Sequence, residues 1–146
     1  MTFEQLKEKI GTADPADWHQ HKNGGGWIHA SARVDESAIV GKDAIVWGIV
    51  SGDARVSGNA QVSGDAWVYG NARVSGDAWE SSPLFIIGSR FSLTNSKKGH
   101  LQIGCRCETF AWWQKNGEAL AKENDFTKSE IEEYREYLKL FIKLGK

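Results

Sequence analysis

Cysteine, proline and methionine are scarce in this chain: two, two and one among 146 residues. Two cysteines, Cys105 and Cys107, are too few for a disulfide framework and suit a reducing compartment. No run of 18 apolar residues occurs, so no membrane-spanning helix is expected. Neither sign of charge dominates. Lys and Arg number 18 against 19 Asp and Glu, a net −1 that gives no general pull toward nucleic acid or a membrane surface. The opening MTFEQLKEKI is charged and amphipathic and lacks an apolar signal region. No GxSxG motif is present. The Gly-rich stretch HQHKNGGGW (19–27) lacks the lysine–serine ending of a phosphate-wrapping loop and reads as a flexible linker.

What is plentiful is tryptophan, seven residues, and a repeat. Residues 52–79 read GDARVSGNAQVSGDAWVYGNARVSGDAW. Each unit is Ala-X-Val-Ser/Tyr-Gly-Asp/Asn. Val56, Val62, Val68 and Val74 recur every six residues, with Ala54, Ala60, Ala66, Ala72 and Ala78 two places before the Val slot. Positions two apart in a strand share a face, so Ala and Val point one way and X points the other. Gly followed by Asp or Asn supplies turn chemistry after each short strand. Such strands are too short for hairpins and suit the sides of a coil. The pattern extends upstream through Ala32/Val34, Ala38/Val40 and Ala44/Val46. The step Trp47-Gly48-Ile49-Val50 reads as one corner shortened by two residues. Nine units at three per turn predict three coils over residues 31–80.

Residues one coil apart then stack in columns on each outer face. The count places Arg33, Ile49 and Trp67 on one face, Ile39, Arg55 and Arg73 on a second, and Ile45, Gln61 and Trp79 on the third. Apolar groups in these columns need cover, from the chain's own ends or from another subunit.

The repeat resembles the hexapeptide-repeat family of parallel β-helices, in which an aliphatic residue is followed four places later by a small one, as in Val56 and Ala60. That resemblance implies left-handed winding and, typically, a trimer. It leaves function open, since the family includes acyltransferases, carbonic-anhydrase-like enzymes and non-catalytic proteins.

The flanks are predicted as follows. Residues 1–30 hold a helix over 2–10, opened by a Thr2/Gln5 capping box, and the linker. Residues 81–108 hold strands that continue or cap the coil, around Phe85–Ile87, 91–94 and 101–107. Residues 109–146 form a helical hairpin, 110–122 and then a helix opened by Thr127/Glu130 and stopped at Gly145. The fold class is therefore mainly β: a short left-handed parallel β-helix with an N-terminal helix and a C-terminal two-helix appendage. Repeats followed by SPLFIIGSRFSLTN, IGC and a two-helix tail are also similar to a set of tailed-bacteriophage and prophage proteins. This second resemblance implies a small viral accessory protein in a bacterial cytoplasm and hands over no catalytic residue.

Chemistry is sparse. An acyltransferase of this fold needs a His base at a subunit interface. The nine units hold no His; His29 precedes them and His100 follows. Cys105, Cys107 and His100 could be imagined around a zinc ion, but a neighbouring cysteine pair reads as buried filler. No metal, cofactor or catalytic residue is expected. The Arg55/Arg73 column has stronger chemistry, since stacked guanidiniums become favourable when they share a phosphate or carboxylate. Trp67 and Trp79 on adjoining faces suit a base, and Arg90 adds positive charge. The reading is a non-enzymatic oligomer, a homotrimer or higher. It would act in counter-defence by sequestering a small nucleotide-like anion or blocking a host defence protein. An acyltransferase and a polymer-forming structural protein are the alternatives.

Overall fold

The computed structural model describes residues 1–64, 66–76 and 78–144. It divides into two compact units, Met1–Pro83 and Leu84–Lys146.

The first unit is a β-solenoid of about three turns. Strands β1 (Trp18–Gln20) and β2 (Trp27–His29) precede the coils. The first coil is β3 (Arg33–Val34), β4 (Ile39–Val40) and β5 (Ile45–Val46). The second is β6 (Ile49–Val50), β7 (Arg55–Ser57) and β8 (Gln61–Val62). The third is β9 (Trp67–Val68), β10 (Arg73–Ser75) and β11 (Ala78–Trp79). Strands one coil apart pair in parallel, giving three sheets: β3-β6-β9, β4-β7-β10 and β2-β5-β8-β11, the last extended by antiparallel β1. Val40, Val46, Val50, Val56, Val62, Val68 and Val74, with Ala38, Ala44, Ala54, Ala60, Ala66 and Ala72, are buried along the axis. Each fully buried Val contributes about 1.5–3 kcal/mol relative to exposure. Gly52, Gly58, Gly64, Gly70 and Gly76 turn the corners with φ between 57° and 78°, a region that a Cβ disfavours, which is why glycine recurs every six residues.

The shortened corner lies between β5 and β6. Trp47 and Gly48 both donate their backbone N–H to the carbonyl of Val62, at 2.7 and 3.1 Å. A Cβ on Gly48 would stand 2.7 Å from the Ala66 carbonyl oxygen, so only glycine fits where the other units carry alanine.

Two expectations are corrected in this unit, for residues 19–27 and for Trp79, and one left open is decided. Residues 19–27 are no loose linker: they form the β1–β2 hairpin, and Gly24 and Gly26 pack so closely on the Val40 backbone that a Cβ on either would collide with it. The third face is covered by the chain itself. Helix α1 (Phe3–Ile10), opened by the Thr2/Gln5 capping box, lays Leu6 against Trp18 and Ile45, with Phe3, Trp27 and Trp47 packed around them. Trp79 does not join the outer column. In β11, Ala78 pairs with Gln61 and Trp79 with Val62, so Ala78 takes the outer slot and the indole turns inward, 4 % exposed. A strict six-residue frame would place Glu80 at the inner Val slot. An unpaired buried carboxylate is costly, whereas an indole fills the end of the tube with apolar area; slipping by one residue resolves the conflict.

The second unit is α+β. Strands β12 (Phe85–Ile87), β13 (Ser92–Lys97), β14 (His100–Ile103) and β15 (Arg106–Thr109) form an antiparallel sheet in sequence order. The predicted strand over 101–107 is a hairpin instead, bent at Gly104 with φ 58°. Helix α2 (Phe110–Glu123) is capped by Thr109, and α3 (Lys128–Leu144) by the reciprocal Thr127/Glu130 pair. The expected stop at Gly145 lies outside the described residues. Leu93, Leu101, Trp113, Tyr134 and Phe141 make the core, and Trp113 donates Nε1–H to the Leu101 carbonyl at 2.8 Å.

Candidate functional site

The solenoid offers two outer columns that the chain leaves open. The first follows β3-β6-β9. Register pairs Arg33 with Ile49 and Ile49 with Trp67, as the count predicts. Ile49 is 36 % exposed and Trp67 49 %. The indole is fixed rather than loose: Nε1–H donates to Ser51 Oγ on the coil before, at 2.8 Å, and the Trp67 backbone N–H donates to Ser82 Oγ at 2.9 Å. Tyr69 joins it, with ring centroids 5.4 Å apart and 42 % exposure. Sequence reasoning did not single out Tyr69. The available signal was that an aromatic replaces the serine found in that slot at 57, 63 and 75, two residues after Trp67 and hence on the same face.

The second column follows β4-β7-β10. Ile39 pairs with Arg55 and Arg55 with Arg73. Neighbouring strands lie about 4.8 Å apart, so the two guanidinium stems run side by side. Arg55 is exposed and Arg73 half-buried. Neither makes an ion pair or side-chain hydrogen bond with another described residue.

The remaining expected site residues are elsewhere. Trp79 is inside the tube. Arg90 belongs to the second unit and is engaged there: Nη1 donates to the Asn124 carbonyl at 3.1 Å, Nε lies 3.5 Å from Glu130, and the guanidinium sits 4.3 Å over the Phe126 ring. The five residues therefore make one two-arginine column, one tryptophan on the adjoining face, one buried tryptophan and one arginine in the other unit.

Candidate catalytic and metal groups are dispersed. His29 Nδ1 contacts Ser31 Oγ at 2.7 Å, and His100 Nδ1 the Lys98 carbonyl at 2.8 Å. The cysteines are exposed rather than buried, because the Gly104 turn carries Cys105 outward and Cys107 follows on the edge strand β15, 3.2 Å from Ser96 Oγ. Among the described residues, no three His, Cys, Asp or Glu side chains are placed to hold a metal ion. No helix among them is long and apolar enough to cross a membrane.

The second unit contains a cavity of about 330 Å³ between the α2–α3 hairpin and the turns at Phe91 and Gly104. Around it, α3 holds the loop before β13. Tyr134 Oη accepts the backbone N–H groups of Arg90 and Phe91, at 3.0 and 2.6 Å, and donates to the Phe91 carbonyl at 2.9 Å. Glu133 accepts the Ser89 N–H at 2.9 Å, which holds its carboxyl below the usual glutamate range. Glu118 is held low as well, first by its hydrogen bond from Lys122 and then by that from Arg135. Burial pushes the Tyr137 phenol up, and the neighbouring Glu133 adds to the shift.

Residues 50–64 and 66–82 match a family model described as the YdcK beta solenoid repeat. No curated protein and no solved structure matches the chain. The matched stretch runs through the second and third coils, which carry Arg55, Trp67 and Arg73, and the chain is a β-solenoid protein.

Proposed function

We propose that this is a non-enzymatic binding protein whose solenoid self-assembles and holds a small anion at the junction between copies. One observation carries the reading. The chain covers one solenoid face with its own N-terminal helix, and over the second and third coils the other two faces bear in-register pairs of opposite character, Ile49/Trp67 flanked by Tyr69, and Arg55/Arg73. In a threefold ring each contact is heterologous, so unlike faces of neighbouring copies meet. The aromatic column of one copy then meets the arginine column of the next, where a phosphate or carboxylate satisfies both guanidiniums and the indole stacks on a planar group.

The left-handed winding and trimer implied by the hexapeptide resemblance fit this arrangement. The phage resemblance supplies a setting, sequestration of a nucleotide-like signal in the bacterial cytoplasm. An acyltransferase reading gains no support from His29 and His100, which lie in different units and are each turned to a local partner.

Calorimetric titration with a panel of cyclic and ADP-ribose-type nucleotides tests the ligand. Heat is expected with at least one member. A charge-assisted hydrogen bond contributes about 1.5–3 kcal/mol, so Arg55→Ala with Arg73→Ala should weaken binding by at least about tenfold. No heat from any member, or unchanged affinity in the double variant, removes the arginine column from the account.

A further inference from the structure

The cavity of the second unit has no part in the solenoid reading, and its construction is specific. Phe91 and Phe126 stack with centroids 6.1 Å apart and 19° between planes, and they line the cavity together with Leu120, Ile131 and Leu138 of the helical hairpin. Gly117 lines the same space from the middle of α2. Glycine in a helix interior costs about 1 kcal/mol relative to alanine. Nothing in the packing requires it: a Cβ there would come no nearer than 3.5 Å, to Trp113, an ordinary contact. What its missing side chain preserves is open volume.

The mouth is polar and carries a surplus of positive charge. Arg135 lies 2.9 Å from Glu118, Lys122 lies 3.1 Å from the same carboxylate, and Arg106 lies 3.4 Å from Glu108. Among the residues that line the cavity, two cations, Arg106 and Arg135, thus stand beside one carboxylate, Glu118. These pairs are about half exposed, a class that contributes little to stability, so the guanidiniums can accept a further anion at small cost. The planar fork of arginine suits a carboxylate in particular.

We propose that this cavity binds an amphipathic monocarboxylate, its hydrocarbon body between the Phe91/Phe126 pair and the helical hairpin and its carboxylate at Arg135 and Arg106. The site is independent of the solenoid columns.

Calorimetry on the full chain with octanoate and octanamide tests it. Octanoate should bind about tenfold or more tightly than octanamide, the effect of one charge-assisted contact. Arg135→Gln or Arg106→Gln should narrow that gap while leaving octanamide binding unchanged. Gly117→Leu should abolish binding of both and leave the thermal midpoint unchanged or raised, because leucine is the better helix former. Trp67→Ala should change nothing. Equal affinity for the two probes, or a gap that neither arginine variant narrows, overturns carboxylate recognition. Binding that survives Gly117→Leu or disappears in Trp67→Ala places the ligand elsewhere. No heat from octanoate overturns the proposal.

Discussion

Trp79 carries its indole inside the last coil with Nε1 buried and without a hydrogen-bond partner among the described residues. The lost hydrogen bond is worth about 1–3 kcal/mol, and the apolar area closes the end of the tube. Trp79→Ala is therefore expected to cost about 3–5 kcal/mol, read by urea denaturation. An outward tryptophan would cost less than about 0.5 kcal/mol. The alternation of Ala and Val made the inward slots legible, but counting by six put Trp79 outside. The signal against that count is Glu80, which it would place in an apolar tube. Tyr134 shows the opposite kind of residue, a buried polar group fully used. Its hydroxyl serves two backbone N–H groups and one carbonyl of residues 90–91. Tyr134→Phe leaves those groups without their partner and should cost about 1–3 kcal/mol, seen as a lower thermal midpoint.

At the scale of elements, the corner between β5 and β6 rests on one missing Cβ. Gly48→Ala forces the added methyl group against the backbone of Ala66 and should destabilise the chain by about 1–3 kcal/mol. The same substitution at Gly117 should stabilise it by up to about 1 kcal/mol, and the two variants compared in one denaturation series check both claims. The tether from α3 to Ser89 is pH-dependent. Because the folded state lowers the Glu133 pKa, its contribution is complete above the ordinary glutamate value of about 4.3 and is lost as pH falls through the lower folded value. Glu118 and Glu36 act in the same direction. Thermal midpoints followed downward from about pH 5 should fall less in Glu133→Gln than in the unaltered chain. Helices were legible because capping boxes mark their starts at Thr2 and Thr127. The 100–109 hairpin was not, since a single glycine within an alternating run also fits an unbroken strand. The 18–29 hairpin was hidden because its turn glycines, which pack on Val40, look the same in sequence as those of a linker.

For the whole molecule, the solenoid and two of its three outer columns followed from periodicity, because parallel register copies a six-residue spacing directly into stacked side chains; the third failed at Trp79. Which column stays open did not follow. That depends on where α1 lies, and the sequence places a helix without placing its partner. The cavity of the second unit was equally hidden, since its walls come from β-turns and two helices that no local pattern joins. The seven tryptophans find different uses: Trp18, Trp27 and Trp47 beneath α1, Trp79 in the tube, Trp112 and Trp113 in the second unit, and Trp67 alone on an open face. That last residue carries the assembly proposal. Light-scattering mass across a concentration series, for the unaltered chain and for Ile49→Lys with Trp67→Lys, tests it most directly. A discrete oligomer, three copies, that falls to a single copy in the folded double variant is the expected result. A single copy throughout for the unaltered chain, or an oligomer indifferent to both lysines, contradicts it.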